Sequence, residues 1–496
     1  MTDSTPPGSP AAVSPPSGIQ DMERLLQAQQ AAFLKEGEVS LQTRRERLNR
    51  LEHLLASHRE SIVDAILSDF AGHRSAPHTS MTEVAAPIAA IRSTGRHLQR
   101  WLRPESRPLP LLQRLLGARA EIHYQPLGSI GVLAPWNFPV YLSVGPLVGI
   151  LAAGNRAMIK PSEYTPETAT LLQQLFKRYF APEEVAVITG ASDVSSHFSS
   201  LPFDHLVFTG SGAIAKKVMQ AAAQNLVPLT LELGGKSPVI IGHGTDMAQA
   251  ARCIIDTKLG NAGQMCIAPD YVLVPRDRMQ ELVAQLKIVT QAMYPAVAAN
   301  PDYASIINEA QYHRLTGYLQ QARAAGVECI EIAPQEEIDQ AKAVNKIVPT
   351  LLLEPGDDLG AMQDELFGPL LPIKTYGHID QALNYIKQRP RPLALYYFGQ
   401  GNNAEREKVL TGTLSGGVCV NDIAAHASCE SLPFGGVGPS GMGAYHGIDG
   451  FRAFSHARAV YYQSRLNPMD LFGLRPPYGK RYLKMVENMI GRRQKN

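Results

Sequence analysis

The stretch His205-Leu206-Val207-Phe208-Thr209-Gly210-Ser211-Gly212-Ala213-Ile214-Ala215 decides the fold. Its first five residues read as a buried strand. The glycines then turn the chain, and residues 213–224 carry a helical pattern. Strand, glycine turn and helix in this order match G-x-G-x-x-A, where the free N–H groups of a helix start can hold a pyrophosphate. An ordinary tight turn has the same string, so the run by itself leaves both readings open. Its surroundings are more informative. Residues 130–133, 157–160 and 185–189 are also short strand candidates, and residues 165–179 between them read as a helix. This alternation predicts βαβ units and a parallel sheet. A second series begins with strand candidates at 238–241 and 271–274. The expected fold class is α/β.

Upstream, residues 20–100 read as helices, with Leu48, Leu51 and Leu55 spaced along one face and Ile62 and Ile66 continuing it. Pro104, Pro108 and Pro110 end that pattern. Residues 121–124, with Ile122 among polar neighbours, predict an exposed strand that would seek a partner edge. Downstream, the basic C-terminal stretch places Leu483, Val486 and Ile490 on one helical face, as a docked helix or a surface arm. The Pro/Ser-rich N-terminus lacks the basic and apolar segments of a secretion signal and reads as a disordered tail.

Bulk properties narrow the class. The 496 residues call for two or three packed units. Lys+Arg 47 against Asp+Glu 45, interspersed, gives no reason to expect a nucleic-acid partner. No run approaches ~18 apolar residues, so no integral membrane segment is expected. Five cysteines, an odd and sparse set without a C-x-x-C pair, point to a reducing, cytoplasmic setting and to no metal site.

Three runs carry chemistry. Leu231-Glu232-Leu233-Gly234-Gly235-Lys236 sets one carboxylate between apolar neighbours, which suits a general base or acid, although a glutamate at a strand end gives the same string. Glu232 also falls near the distance, ~20 residues after the glycine turn, where the dinucleotide template expects a ribose-binding acid. Asn261-Ala262-Gly263-Gln264-Met265-Cys266 places a thiol after a flexible turn; such a thiol is a nucleophile if accessible and a small apolar side chain if buried. Pro135-Trp136-Asn137-Phe138-Pro139 fixes the backbone around one amide, which can aim a donor at an oxyanion or cap a rigid loop.

Together with Lys160-Pro161-Ser162-Glu163, Glu365-Leu366-Phe367-Gly368-Pro369, Asn421 and Pro433-Phe434-Gly435-Gly436, these runs resemble the aldehyde dehydrogenase superfamily over residues 20–460. Glu232 and Cys266, 34 residues apart, are similar in spacing to that family's base and nucleophile. The run from Cys266 to Leu273 and Arg475-Pro476-Pro477-Tyr478 resemble the class 3 branch, which includes fatty-aldehyde and coniferyl aldehyde dehydrogenases.

The resemblance implies roles. Cys266 is the expected nucleophile, Asn137 with the Cys266 N–H the oxyanion hole, and Glu232 the base rather than a ribose ligand. Lys160 and Glu163 would contact the adenosine ribose, Gly210 and Ser211 the pyrophosphate, and Gly234, Glu365 and Phe367 the rest of the cofactor. Met265, where threonine is frequent in the branch, and Ile267 would line the substrate pocket. Ala215, in place of a glycine, would shift the pyrophosphate. The implied reaction oxidises a hydrophobic aldehyde, aromatic such as coniferyl aldehyde or medium-chain aliphatic, to the acid with NAD, NADP being the alternative cofactor, through a cysteine thioester. A fatty-aldehyde or broad-specificity enzyme is the alternative. Glu232 argues against acyl transfer to coenzyme A, and the retained set argues against a cofactor-free structural protein. The implied architecture has a disordered tail at 1–19 and a doubly wound Rossmann-like NAD(P) domain at 20–105 and 125–231. A second α/β catalytic domain spans 232–418, a small β oligomerisation arm 106–124 and 419–465, and a basic tail 466–496. A homodimer is expected.

Overall fold

The computed structural model describes residues 19–491, so residues 1–18 of the expected tail lie outside the described residues. The first unit is built on a six-stranded sheet. Across it run Val185–Val187, Arg156–Lys160, Ser129–Leu133, His205–Thr209 and Leu229–Glu232, all parallel, with Gly441–Met442 antiparallel at the edge. The chain starts in the middle, winds to one side, crosses back and winds to the other. This is the doubly wound order, and the reversal lies between Ser129–Leu133 and His205–Thr209. Both of those strands and Arg156–Lys160 are buried along their whole length, as a parallel sheet covered on two faces requires.

Helices supply the cover. Leu41–Ser57 buries Leu48, Leu51, Leu54 and Leu55, and Arg59–Asp69 buries Ile62, Val63 and Ile66. They share a core with Tyr141–Ala153, an apolar helix that is buried over most of its surface.

The second unit is a seven-stranded sheet in the order Glu328–Glu331, Thr350–Leu353, Leu370–Tyr376, Tyr271–Pro275, Pro238–Ile241, Ala394–Phe398 and Gly417–Val420. Only the first pair is antiparallel.

A third sheet pairs Glu105–Arg107, Arg119–Pro126 and Ser455–Tyr462 antiparallel. The strand expected at 121–124 is its central member: Ile122 pairs with Glu105 on one side and Ala459 on the other. Its edges are satisfied within the chain, and the open edges lie at the flanking strands instead. The segment 419–465, read as one arm, is divided among all three sheets. Gly417–Val420 extends the seven-stranded sheet because its register with Ala394–Phe398 is parallel. Gly441–Met442 returns to the first sheet, helix Gly447–Ala453 packs on Tyr141–Ala153, and Ser455–Tyr462 alone joins the small sheet.

Asn155 ties this return to the first unit. Its side chain accepts from Gly128 N at 2.9 Å and donates to Ile150 O at 3.3 Å and Phe454 O at 2.7 Å, with the residue 1% exposed. Asn155→Ala removes the partner of the buried Gly128 N–H and Phe454 carbonyl, while Ile150 O keeps the backbone N–H of residue 155, and we expect a loss of about 2–4 kcal/mol in urea unfolding. A loss below ~0.5 kcal/mol would show that the tie is dispensable.

Candidate active site

The first sheet delivers the motifs to one rim. Leu133 is in register with Lys160 and Phe208, and Thr209 with Glu232. Asn137, Lys160, Gly210 and Glu232 therefore all stand at or just past the carboxyl ends of strands, beside the reversal point where open α/β sheets bind ligands.

The Cys266 turn comes from the second unit. Helix Met247–Leu259 gives way to a tight turn in which Asn261 and Ala262 adopt left-handed φ of 52° and 51°. Gly263 follows at φ 76°, and a Cβ there would sit 2.3 Å from the Gly368 carbonyl, so only glycine fits. Gln264, fully buried, locks the turn. It donates to Asn261 O and Ser305 O, each at 3.0 Å, and accepts from Ile307 N at 3.0 Å. Two residues on, Cys266 is half-buried.

Asn137 is held from three sides. Its Nδ2 donates to Gln264 O at 3.1 Å, and its carbonyl accepts from Asn261 Nδ2 at 3.2 Å and Arg74 Nη1 at 3.0 Å. Arg74 and Glu83 form a buried ion pair at 3.0 Å. The other Glu83 oxygen accepts from Val140 N at 3.0 Å and Tyr141 N at 2.8 Å. An amide nitrogen carries two protons, so one Asn137 donor remains for a ligand.

Two buried carboxyls act on the thiol electrostatically. Glu232 is 2% exposed, and neither side-chain oxygen has a hydrogen-bond partner among the described residues. Burial raises its pKa well above the usual carboxylate range. Glu365 lies against Gly234, where a Cβ would meet both carboxylate oxygens at 2.2 Å. Burial and then Asp270 push its pKa up to about 8, against the Gly235 N–H, Lys236 and Arg314. The Glu365 loop is fastened by Lys236, which pairs with Asp270 and donates to Ala361 O and Asp364 O, each at 2.8 Å. Asp270 in turn accepts from Leu366 N at 2.9 Å. Phe367, at φ 50°, meets the Trp136 ring edge-on, with centroids 5.3 Å apart. Burial first, then Glu365 and Glu232, hold the Cys266 thiol protonated.

The rim also fits a dinucleotide. Helix Gly212–Ala223 opens at Ser211, an exposed N-cap that accepts from Ile214 N at 3.4 Å. Buried Lys160 donates to Pro161 O at 2.8 Å and to exposed Glu163 at 3.3 Å, so the carboxylate stands at the mouth of the crevice. Gly210 N donates to Glu232 O at 3.0 Å, which couples the glycine turn to the Leu229–Glu232 strand through backbone. Ala215 does not face this rim. It is 1% exposed and packed in the core between helix and sheet, so the expected effect of its methyl on a pyrophosphate is corrected to a packing role.

Of the two pocket candidates, Met265 keeps accessible surface, while Ile267 is 7% exposed and packed into the core of the second unit. Several groups escaped the sequence reading. The Tyr141 hydroxyl lies 3.3 Å from His446 Nε2, a pairing across 305 positions. Burial, then Glu430, Cys266 and Glu232 keep that phenol protonated. Lys258 is buried without a hydrogen-bond partner, and burial pulls its pKa down to about 8. No spacing rule marks such residues; only Gln264 and Lys236 lie inside runs already singled out.

Comparison with known proteins bears on this arrangement. The model of the aldehyde dehydrogenase family matches residues 7–460. A protein of Caulobacter vibrioides called "Probable coniferyl aldehyde dehydrogenase" is 48% identical, the match covering 95% of this chain and 96% of that one. Coniferyl aldehyde dehydrogenase of Pseudomonas sp. strain HR199 is 47% identical, covering 94% and 95%. Among solved structures, the substrate-bound state of Staphylococcus aureus AldH superposes with a TM-score of 0.87 at 34% identity, covering 95% of this chain and 99% of that one.

The electrostatics around the thiol give a direct test. Without ligands, iodoacetamide should label Cys266 slowly at neutral pH and faster as pH rises, read by mass spectrometry. Above pH ~8, where the Glu365 carboxylate opposes the thiolate, Glu365→Gln should speed labelling, and Glu232→Gln should do so once Glu232 ionises, since lowering the thiol pKa by ~1 raises the thiolate fraction about tenfold. Rates unchanged in both variants would show that the carboxyls do not act on the thiol.

Proposed function

The chain belongs to the aldehyde dehydrogenase family and is an aldehyde-oxidising enzyme that uses a nicotinamide cofactor; from that premise we propose that it oxidises hydrophobic aromatic aldehydes of the coniferyl type to their acids, through a thioester on Cys266. One observation carries the site assignment. Cys266 follows a turn whose Gln264 carbonyl binds Asn137, and its thiol feels the charge of buried Glu232, whose two oxygens have no hydrogen-bond partner among the described residues. The names of the relatives near 48% and 47% identity support the substrate class.

The residues then divide the work. Cys266 Sγ, once deprotonated, bonds to the aldehyde carbon. The oxygen that gains charge accepts from the free Asn137 amide proton and the Cys266 N–H; losing one such donor typically costs on the order of 10²–10³ in rate. A nicotinamide cofactor, when bound, would supply the hydride acceptor for this oxidation. Water then attacks the thioester carbon, Glu232 takes the proton of that water, and the carbon–sulfur bond breaks to release acid and thiolate. Lys160, Glu163, Gly210 and Ser211 hold the adenosine and pyrophosphate end, and Gly234, Glu365 and Phe367 the nicotinamide end. Met265 forms the apolar wall near the carbonyl.

A second copy of the chain is the expected partner, paired through the open Ser455–Tyr462 edge of the small sheet. No described helix is long and apolar enough to cross a membrane. The cysteines are all free, in keeping with a cytoplasmic setting.

Three measurements test this reading. Cys266→Ser should abolish turnover while cofactor binding by fluorescence titration persists; serine at Cys253, Cys329, Cys419 or Cys429 should leave it intact. An essential cysteine elsewhere would refute the assignment. For the cofactor we propose preference for NAD, because the Glu163 carboxylate repels a 2′-phosphate while Lys160 offsets part of the charge. Glu163→Gln should raise NADP efficiency relative to NAD about fivefold, ~1 kcal/mol for a charge at an exposed site. An unchanged ratio would remove Glu163 from the ribose. For the substrate, kcat/KM should climb from acetaldehyde through hexanal, up to ~0.8 kcal/mol per methylene until the pocket fills, and be highest for coniferyl aldehyde. Acetaldehyde or a charged semialdehyde as best substrate would overturn the proposed class.

A further inference from the structure

We infer that helix Lys480–Gly491 is a peripheral docking element for an anionic lipid surface. The helix has the sequence KRYLKMVENMIG. At 100° per residue, Tyr482, Leu483, Met485, Val486, Met489 and Ile490 fall on one side, and Lys480, Arg481, Lys484, Glu487, Asn488 and Gly491 on the other. No apolar residue is misplaced. The apolar side is only partly spent on the body of the chain: Tyr482, Met485 and Val486 are half-buried, whereas Leu483 is 57% exposed and Met489 and Ile490 are 69% exposed each. Tyr478, 59% exposed, extends this surface at its start, with its ring 4.5 Å from that of Tyr482.

Charge identifies what covers it. The polar side carries three cations, Lys480, Arg481 and Lys484, against the single acid Glu487. The sequence after Gly491 adds Arg492, Arg493 and Lys495. A helix with an apolar side and a cationic side lies in the plane of a membrane interface, apolar side chains among the acyl chains and ammonium groups at lipid phosphates. Each cation near an anionic leaflet contributes about 1 kcal/mol. A second copy of the helix is a poor occupant, because it would bring the same excess of positive charge. Twelve residues also cover far less than the ~800 Å² per partner of a stable interface. Nor can the helix cross a bilayer, which takes ~20 apolar residues. It is suited to reversible attachment, which would bring the enzyme to apolar aldehydes dissolved in the lipid. That last step rests on the hydrophobic substrate class proposed above; the attachment itself does not.

The test is co-sedimentation of the full chain with vesicles of equal parts phosphatidylglycerol and phosphatidylcholine, against vesicles of phosphatidylcholine alone. The chain should pellet with the anionic vesicles only and be released as salt rises from ~50 to ~500 mM. Lys480→Glu and Lys484→Glu should each cut partitioning at least about fivefold. Leu483→Ser with Ile490→Ser should cut it further, and every variant should keep wild-type kcat/KM on benzaldehyde in solution. Absence of pelleting with anionic vesicles, or pelleting that these substitutions leave unchanged, would overturn the inference. So would a change in oligomeric state by light scattering in the Leu483→Ser, Ile490→Ser variant, which would make the helix a contact between copies. Benzaldehyde turnover reads the proposed activity separately, so either idea can fail alone.

Discussion

The hydrogen bond from Asn137 Nδ2 to the Gln264 carbonyl, 3.1 Å long and buried, joins the two α/β units at the point where the chemistry would occur. Asn137 extends from the first sheet and Gln264 belongs to the turn that presents Cys266, so the bond fixes Asn137 and Cys266, the oxyanion donor and nucleophile proposed above, relative to one another. Neither residue holds its place alone. Asn137 depends on Arg74, whose charge is buried and is tolerable only because Glu83 meets it; Glu83 also binds the two N–H groups at the start of helix Tyr141–Ala153. A buried pair of this kind adds little net stability, but removing one partner costs on the order of 3–5 kcal/mol. The arrangement thus exchanges stability for position. The same holds for the strained Asn261 and Ala262, which two left-handed residues in succession would not adopt without the surrounding bonds.

Precise placement has an electrostatic consequence. The thiol of Cys266 and the carboxyls of Glu232 and Glu365 share one poorly hydrated space, where each ionisation opposes the next. The proton lost by one group therefore has nearby acceptors, and the resting site keeps the thiol neutral. Lys236 and Lys258 are the compensating cations: Lys236 is committed to Asp270 and the Glu365 loop, while Lys258 stays unpaired. The base role proposed for Glu232 needs its carboxylate, which burial disfavours, so that role would strengthen as pH rises.

The two parallel sheets were legible because their strands are short, rich in apolar residues and mostly followed by helices, so residues 205–209 and 238–241 matched the observed strands end to end. The reactive runs were legible because glycine is irreplaceable beside them: at Gly234 and Gly263 a Cβ would strike Glu365 or the Gly368 carbonyl. Other features depend on long-range register that composition does not encode. Residues 121–124 have the alternation of an exposed strand, and nothing local reveals that Ser455–Tyr462 lies beside it. Ala215 fits a ligand-facing template position but turns to the core, and Ile267 does likewise beside the nucleophile. The Arg74–Glu83 clamp and the Tyr141–His446 pair are invisible in sequence because each joins residues distant in type or position, and a single charged or aromatic residue reads first as a surface or core residue.

The first sheet also explains how cofactor and base stay in step. Thr209 and Glu232 are register partners on adjacent parallel strands, and the Gly210 N–H donates to the Glu232 carbonyl at 3.0 Å. The turn suited to a pyrophosphate and the residue suited to activating water are therefore one hydrogen bond apart through rigid backbone. Glu232 is also paired on its far side with Gly441, the edge strand of the segment that brings in Tyr445 and His446. A shift of the glycine turn cannot occur without moving the Glu232 backbone, and a shift of the returning segment acts on the same residue. Its side-chain oxygens have no hydrogen-bond partner among the described residues. Fixed backbone with a free carboxyl is what a base needs if it is to stand clear while a cofactor is in place and turn toward water afterwards.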